Sequence, residues 1–146
     1  IPKDADLEYN PDDYKGLIEK AMSEDLDAVI GYRGVEDDHY HEYRINEWGT
    51  ARLTGIINFL FKTKYTDVAT CYKLMRTSKL RQLNLKSNAF NLDFELCAKF
   101  SKHKWRVGEV KIQYKARTFK EGRKMRPVTG GMGAIWTIVR EYIIKS

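Results

Sequence analysis

The segment Asp27-Ala-Val-Ile-Gly-Tyr32 narrows the fold most: it is short, apolar and bounded by charge, as a buried strand is. Helical spacing precedes it. Tyr14, Leu17, Ile18, Ala21 and Met22 form a stripe; Asn10 is placed to cap the helix, Pro11 to occupy its first turn, and Asp12 and Asp13 to meet its positive end. A helix over 10–24 feeding a strand predicts an α/β fold, and 146 residues suit one core.

The remaining text alternates in the same way. Residues 34–43 are polar and aperiodic and read as a loop, whereas Leu53, Ile56, Ile57 and Leu60 continue the helical period of Ile45 and predict a helix over 44–61 with Trp48 beside the stripe. Gly49 and Gly55 within it suggest close approach of another element. Cys71 to Met75 suits a short strand leading into a helix over 77–83, and Phe90 to His103 a further helix. Asp93 shares the apolar face of Phe90, Phe94, Cys97 and Ala98, so it must reach a pocket or a partner. Val110 to Tyr114 alternates strictly, placing Val110, Ile112 and Tyr114 inward on a strand. Pro127, Thr129, Gly130, Gly131 and Gly133 mark the entry to a last helix. Its stripe of Met132, Ile135, Trp136, Val139, Tyr142 and Ile143, with Arg140 and Lys145 nearby, fits either core packing or a lipid interface.

The net charge of +6 hides a gradient: residues 1–50 carry 5 basic and 14 acidic side chains, residues 101–146 carry 12 and 3. In Asp4-Ala-Asp-Leu-Glu8, alternate positions of an extended segment project one way and gather three carboxylates, which suits a hard divalent ion such as Mg²⁺ or Mn²⁺; a solvated acidic turn fits the same residues. Arg117, Lys120, Arg123, Lys124 and Arg126 offer cations to a phosphate group, or form a solubilising run. Nucleic acid is disfavoured, because Phe119 is the one aromatic in that run and the acidic first third repels a phosphate backbone. Asp67 in Thr66-Asp-Val-Ala-Thr70 suits a sugar hydroxyl, an arginine or a turn cap. Asp93 and Glu95 stand two apart on a helix and face differently, unlike the paired acids of a glycosidase. His39 and His41 fall in the polar loop, a better acceptor-side lid than a zinc site.

Cys71 and Cys97 are too few for a disulfide scaffold, so a reducing compartment is expected. No apolar run reaches the roughly 20 residues of a membrane helix. Opening at Ile1 with acids at once, the chain reads as the interior of a larger domain.

Five ordered pieces carry a resemblance: Asp4-Ala-Asp-Leu-Glu-Tyr-Asn-Pro11; Gly31-Tyr-Arg33; Asn58 through Thr66-Asp-Val-x-Thr-Cys-Tyr-Lys73; Phe90-x-x-Asp-x-Glu-x-x-x-Lys99; and Arg106-Val-x-Glu-Val-x-Ile-x-Tyr-x-x-Arg117 through Glu121-Gly-Arg-Lys124. Together they resemble family 2 glycosyltransferases, more narrowly the dolichol-phosphate mannosyltransferase and polyprenyl-phosphate glycosyltransferase branch. The resemblance implies a GT-A fold with a mostly parallel mixed sheet flanked by helices, residues 1–146 forming part of the catalytic domain without its first nucleotide-binding half. It implies an inverting enzyme moving a hexose, mannose or glucose, from a nucleotide sugar of the GDP-mannose or UDP-glucose type to a polyprenyl or dolichyl phosphate at the cytoplasmic face of a membrane. Asp4 and Asp6, with Glu8 as a third ligand, would hold Mg²⁺ or Mn²⁺; Arg33, Arg117 and Lys124 would face phosphates; Asp67 would border the sugar, and Asp93 is the acid of the Phe-x-x-Asp-x-Glu helix. The sequence departs from the pattern at Pro127 to Gly131, and at Glu8, where mannosyl-phosphate synthases tend to carry Gln. Competing expectations are a silent polyanion- or nucleic-acid-binding module on this fold and a transferase using a soluble glycan.

Overall fold

The computed structural model describes residues 9–34, 40–88, 90–114 and 127–144, with only the backbone of 40–47 and 127–130. Eight elements follow in order: α1 (Asp13–Ser23), β1 (Ala28–Arg33), α2 (Tyr40–Phe61), β2 (Lys73–Met75), α3 (Thr77–Leu80), α4 (Phe90–Lys102), β3 (Val107–Ile112) and α5 (Pro127–Ile143). The expected α/β class holds. The sheet is mixed, ordered β2-β1-β3, with β1 antiparallel to β2 and parallel to β3.

Two cores sandwich the sheet. Ala28 and Ile30 point to one face, where Leu53 and Ile57 of α2, Phe94, Cys97 and Phe100 of α4, and Ala134 and Ile138 of α5 close over them. Val29 points to the other, against Leu17 of α1 with Leu26, Tyr72 and Ile112. This is why the central strand reads as a continuous apolar run: both its faces are covered. Gly31 sits at a tight point between the two cores, where a Cβ would come 2.7 Å from Ile112 Cγ2 and 3.1 Å from the Tyr72 Cβ.

Helices α1, α2 and α4 end without glycine. Asp25, Lys62 and Lys104 take left-handed φ of 49°, 55° and 53°, and the next amide reaches back five residues in each case: Leu26 to Ala21 O, Thr63 to Asn58 O and Trp105 to Phe100 O. Hydrogen bonding to the last turn offsets the steric cost of that conformation.

Several expectations are corrected. Helix α2 begins at Tyr40, so the end of the segment read as a loop is helical. Ile18 and Met22 are exposed, because the contact of α1 with the sheet is narrower than its apolar stripe. A Cβ at Gly49 or Gly55 would meet nothing, so neither admits a close neighbour among the described residues. Strand β3 starts three residues before Val110 and stops at Ile112, and α3 stops at Leu80. Asn10 does not cap α1; its side-chain oxygen accepts the Asp12 amide in the turn before it. Finally, the inward face of α5 is Ala134, Thr137, Ile138 and Glu141, while most of the predicted stripe points outward.

Candidate functional site

The C-terminal end of β1 delivers Arg33, and the loop between α2 and β2 delivers Asp67 beside it. The Arg33 Nε lies 2.6 Å from Asp67 Oδ2 and Nη2 2.9 Å from Oδ1, a bidentate pair. The same carboxylate accepts the Ala69 amide at 3.1 Å, so Asp67 serves the arginine and the turn together. Burial alone would raise its pKa, but the Arg33 charge and hydrogen bonds outweigh that and hold it below the ordinary value. Arg33 is correspondingly locked in its charged form, the pull of Asp67 overcoming its own burial.

Behind this pair lies a second. Lys73, at the start of β2, is fully buried, and its Nζ donates to Asp93 Oδ1 at 2.8 Å, to Val68 O at 3.0 Å and to Thr70 O. Three donors meet three acceptors, which is what makes a buried ammonium tolerable. Asp93 thus finds the partner its apolar face required. Its pKa is nevertheless raised, burial outweighing the attraction of Lys73, Arg33 lowering it further and Asp67 opposing. The loop between these pairs is held at its other end by Glu109 of β3, whose carboxylate accepts both the amide and the hydroxyl of Thr66 at 2.7 Å.

A tyrosine wall flanks the ion pairs. Tyr9 stacks on Tyr72 with centroids 4.7 Å apart, Tyr14 stacks on Tyr72 at 4.9 Å, and Tyr114 tilts against Tyr9 at 5.1 Å. The Arg33 guanidinium lies 5.2 Å from the centroid of the Tyr114 ring. Tyr9 and Tyr114 also form an antiparallel backbone bridge. The acidic run that precedes Tyr9 and the basic run that follows Tyr114 therefore join the described fold at adjacent points, beside Arg33.

Of the predicted site residues, Arg33, Asp67 and Asp93 come together; Asp4, Asp6, Glu8, Arg117 and Lys124 lie outside the described residues, as does His39. Asp93 and Glu95 diverge as expected: Glu95 accepts the amides of Lys86 and Ser87 at 2.9 and 2.6 Å. The stacking of Tyr9 and Tyr14 on Tyr72 and the pairing of Lys73 with Asp93 carry no direct mark in the sequence. An acid on an apolar helix face was the available signal for a buried cation.

The decisive comparison is with known families. The model described as "Glycosyl transferase family 2" matches residues 2–83, more than half of the chain. The chain belongs to glycosyl transferase family 2. The match takes in Asp4, Asp6, Glu8, Arg33 and Asp67, while Asp93, Arg117 and Lys124 lie beyond it. No curated protein and no solved structure is detectably similar to the chain. Family 2 transferases act on a nucleotide-sugar donor and an acceptor, and the mixed sheet flanked by helices agrees with part of a GT-A fold.

Among the described residues no three His, Cys, Asp or Glu side chains cluster to hold a metal ion. Asp67 and Asp93 each already face a cation of the protein, Arg33 and Lys73. Both carboxylates are thus committed to cations of the protein itself.

Proposed function

We propose that this domain transfers a hexose, mannose or glucose, with inversion, from a GDP-mannose- or UDP-glucose-type donor to a polyprenyl or dolichyl phosphate at the cytoplasmic face of a membrane. The observation that carries the reading is the Tyr9–Tyr114 bridge, which sets the residue that follows the acidic run beside the residue that precedes the basic run, next to Arg33 and its partner Asp67. A transfer between two phosphate-bearing substrates calls for that juxtaposition: acids to hold a divalent ion on the donor diphosphate, and cations to receive the acceptor phosphate.

An acceptor phosphate oxygen attacks the anomeric carbon as the bond from that carbon to the donor diphosphate breaks, and the nucleoside diphosphate leaves with the electron pair. The acceptor's second pKa is around 6, so near neutrality it is already ionised and needs no general base. This suits a site whose described carboxylates are committed to Arg33 and Lys73. Asp4 and Asp6, with Glu8, would hold Mg²⁺ or Mn²⁺, and such an ion would supply charge stabilisation to the leaving diphosphate. Arg117 and Lys124 would align the acceptor oxygen and offset repulsion between the two phosphate groups. Arg33, fixed by both oxygens of Asp67, contributes a positive wall that is already oriented and whose carboxylate partner limits its pull on free anions. The tyrosines beside it keep that wall stiff.

The test is transfer of radiolabelled hexose to a polyprenyl phosphate by the full-length protein with Mn²⁺ present. Asp6→Asn is expected to remove most turnover at saturating donor and metal while the circular-dichroism spectrum stays unchanged; full turnover in that variant overturns the metal role. Labelling of a soluble glycan, with none of the lipid phosphate, overturns the acceptor assignment.

A further inference from the structure

Helix α5 is buried on one side and exposes large apolar side chains on the other. Its inner side, Ala134, Thr137, Ile138 and Glu141, is buried, and its main neighbours are α4 and α2 rather than the sheet. The outer side presents Met132, Ile135, Trp136, Tyr142 and Ile143; Trp136 and Ile143 are each 68% exposed. A surface helix of a water-facing domain is polar on that side. Helix α2 repeats the pattern: Trp48, Arg52, Gly55, Phe59 and Lys62 follow one another at intervals of four and three along its outer stripe, and Phe59 is 84% exposed. The two helices meet where the Phe61 and Tyr142 rings pack edge to face at 5.7 Å.

Among the described side chains of this surface the charges share one sign. Residues 48–64 contain no acid, and their cations Arg52, Lys62 and Lys64 are all exposed. The sole acid of residues 131–144, Glu141, is buried and paired with Arg140 and Lys99. The Arg52 guanidinium carbon sits over the Trp48 ring, 3.5 Å from its centroid, so its stem and the indole form one amphipathic unit.

We propose that the outer faces of α2 and α5 form a single docking surface for the headgroup region of a bilayer containing anionic lipid. Exposed aliphatic side chains, two tryptophans and a tyrosine, and cations with no surface acid among the described residues are the chemistry of an interfacial helix. No described helix is long and apolar enough to cross a membrane, so the contact is one of lying on the surface. A second copy of the chain fits poorly, since a self-complementary interface would bring Arg52, Lys62 and Lys64 toward their own symmetry mates. Position adds a consequence. A Cβ at Gly133 of α5 would come 3.0 Å from the Asn91 side chain, so the outer stripe begins next to the α4 turn that carries Asp93. A lipid-borne headgroup would be presented at the end of the fold where the buried ion pairs lie.

The proposal stands or falls apart from the transferase reading, because its test uses vesicles free of donor and acceptor. The full-length protein is floated with phosphatidylcholine vesicles with and without phosphatidylserine. The expected result is binding that strengthens with phosphatidylserine and weakens with salt. In the Trp136→Glu/Ile143→Glu double variant the partition coefficient should fall by roughly tenfold or more. Arg52→Gln/Lys62→Gln/Lys64→Gln should abolish the gain from phosphatidylserine and leave binding to neutral vesicles unchanged. All five positions are exposed, and an unchanged thermal midpoint confirms that each variant folds. Equal partitioning of wild type and the Trp136→Glu/Ile143→Glu variant overturns the proposal. So does a wild-type dimer in light scattering that the same variant dissolves without any vesicle binding, which would assign the face to a second copy.

Discussion

The two ends of β1 carry the same chemistry in different surroundings. At its N-terminal end Asp25 meets Arg76 and Arg106, the latter at 2.7 Å, with Asp25 and Arg106 more than half exposed. At its C-terminal end Asp67 meets Arg33 at 2.6 Å with its side chain only 10% exposed, and Lys73 meets Asp93 with none of the ammonium in water. Distances barely distinguish the two ends. Solvent does: an exposed pair exchanges one set of good partners for another, whereas a buried charge that loses its partner has no water to fall back on. The Asp25 pairs therefore decorate the fold, and the buried acid of that end is Asp27, 10% exposed and accepting the Arg106 amide at 2.9 Å, while the pairs at the second end constrain the loop that feeds them.

Removing the most buried partner should break this contrast most sharply. Lys73→Met leaves Asp93 and the carbonyls of Val68 and Thr70 without their donor. The expected loss is about 3–5 kcal/mol, read as a shift in the urea midpoint. Lys73→Met/Asp93→Leu should recover much of it, because both charges leave together. A double variant no more stable than the single would show that the loop carbonyls, and not the charge pair, set the cost.

The next effect down is Asp67→Asn, which keeps the shape, abolishes the carboxylate charge and breaks the two-point grip on Arg33. Arg33 keeps some access to water, so the loss is put at about 1–3 kcal/mol, below that of Lys73→Met. It should depend on pH. The folded protein holds the Asp67 pKa below its ordinary value, so its contribution is complete above the unfolded value near 3.9 and disappears as the pH falls through the folded one. The gap in melting temperature between wild type and Asp67→Asn should accordingly be constant near neutrality and close below about pH 4. A gap that persists unchanged in acid would mean that the Ala69 turn contact, which an asparagine retains, is not what the folded state values and that the ion pair is not either.

How much of this was legible in the sequence follows the same division between dry and wet. Strand β1 and helices α2 and α4 announce themselves because their burial pattern is written in apolar residues at a fixed period. The partnering of Asp93 was also foreseeable, since an acid among Phe90, Phe94 and Cys97 had to be neutralised. That Lys73 would do it was not, because a lysine two residues after a cysteine in a short strand carries no mark of its distance to a helix twenty residues on. The outward turn of α5 was hidden for a related reason. Its exposed side is as apolar as a core face while its buried side carries Thr137 and Glu141, so the apolar period points to the wrong face, and only the packing on α4 and α2 identifies Ala134, Thr137 and Ile138 as the inner side. The tyrosine wall unites Tyr9, Tyr14, Tyr72 and Tyr114, residues spread over most of the chain, and depends on the pairing of β1 with β2 and β3.

The smallest effect belongs to the exposed end, and it sharpens the comparison by being small. Asp25 accepts from both Arg76 and Arg106, and these contacts, the Arg106 hydrogen bond first, hold its pKa below the ordinary value. Solvent screens all of them, and in Asp25→Asn both guanidinium groups regain water at once. The residue also holds a left-handed φ of 49°, which asparagine adopts as readily as aspartate, so the turn after α1 is not disturbed. Asp25→Asn should therefore leave the urea midpoint unchanged within the scatter of replicate measurements, and whatever small difference appears at low salt should fade as salt is added. A loss comparable to that of Asp67→Asn, insensitive to salt, would mean that charge pairing stabilises this fold irrespective of exposure, and the distinction between the two ends of β1 would fail.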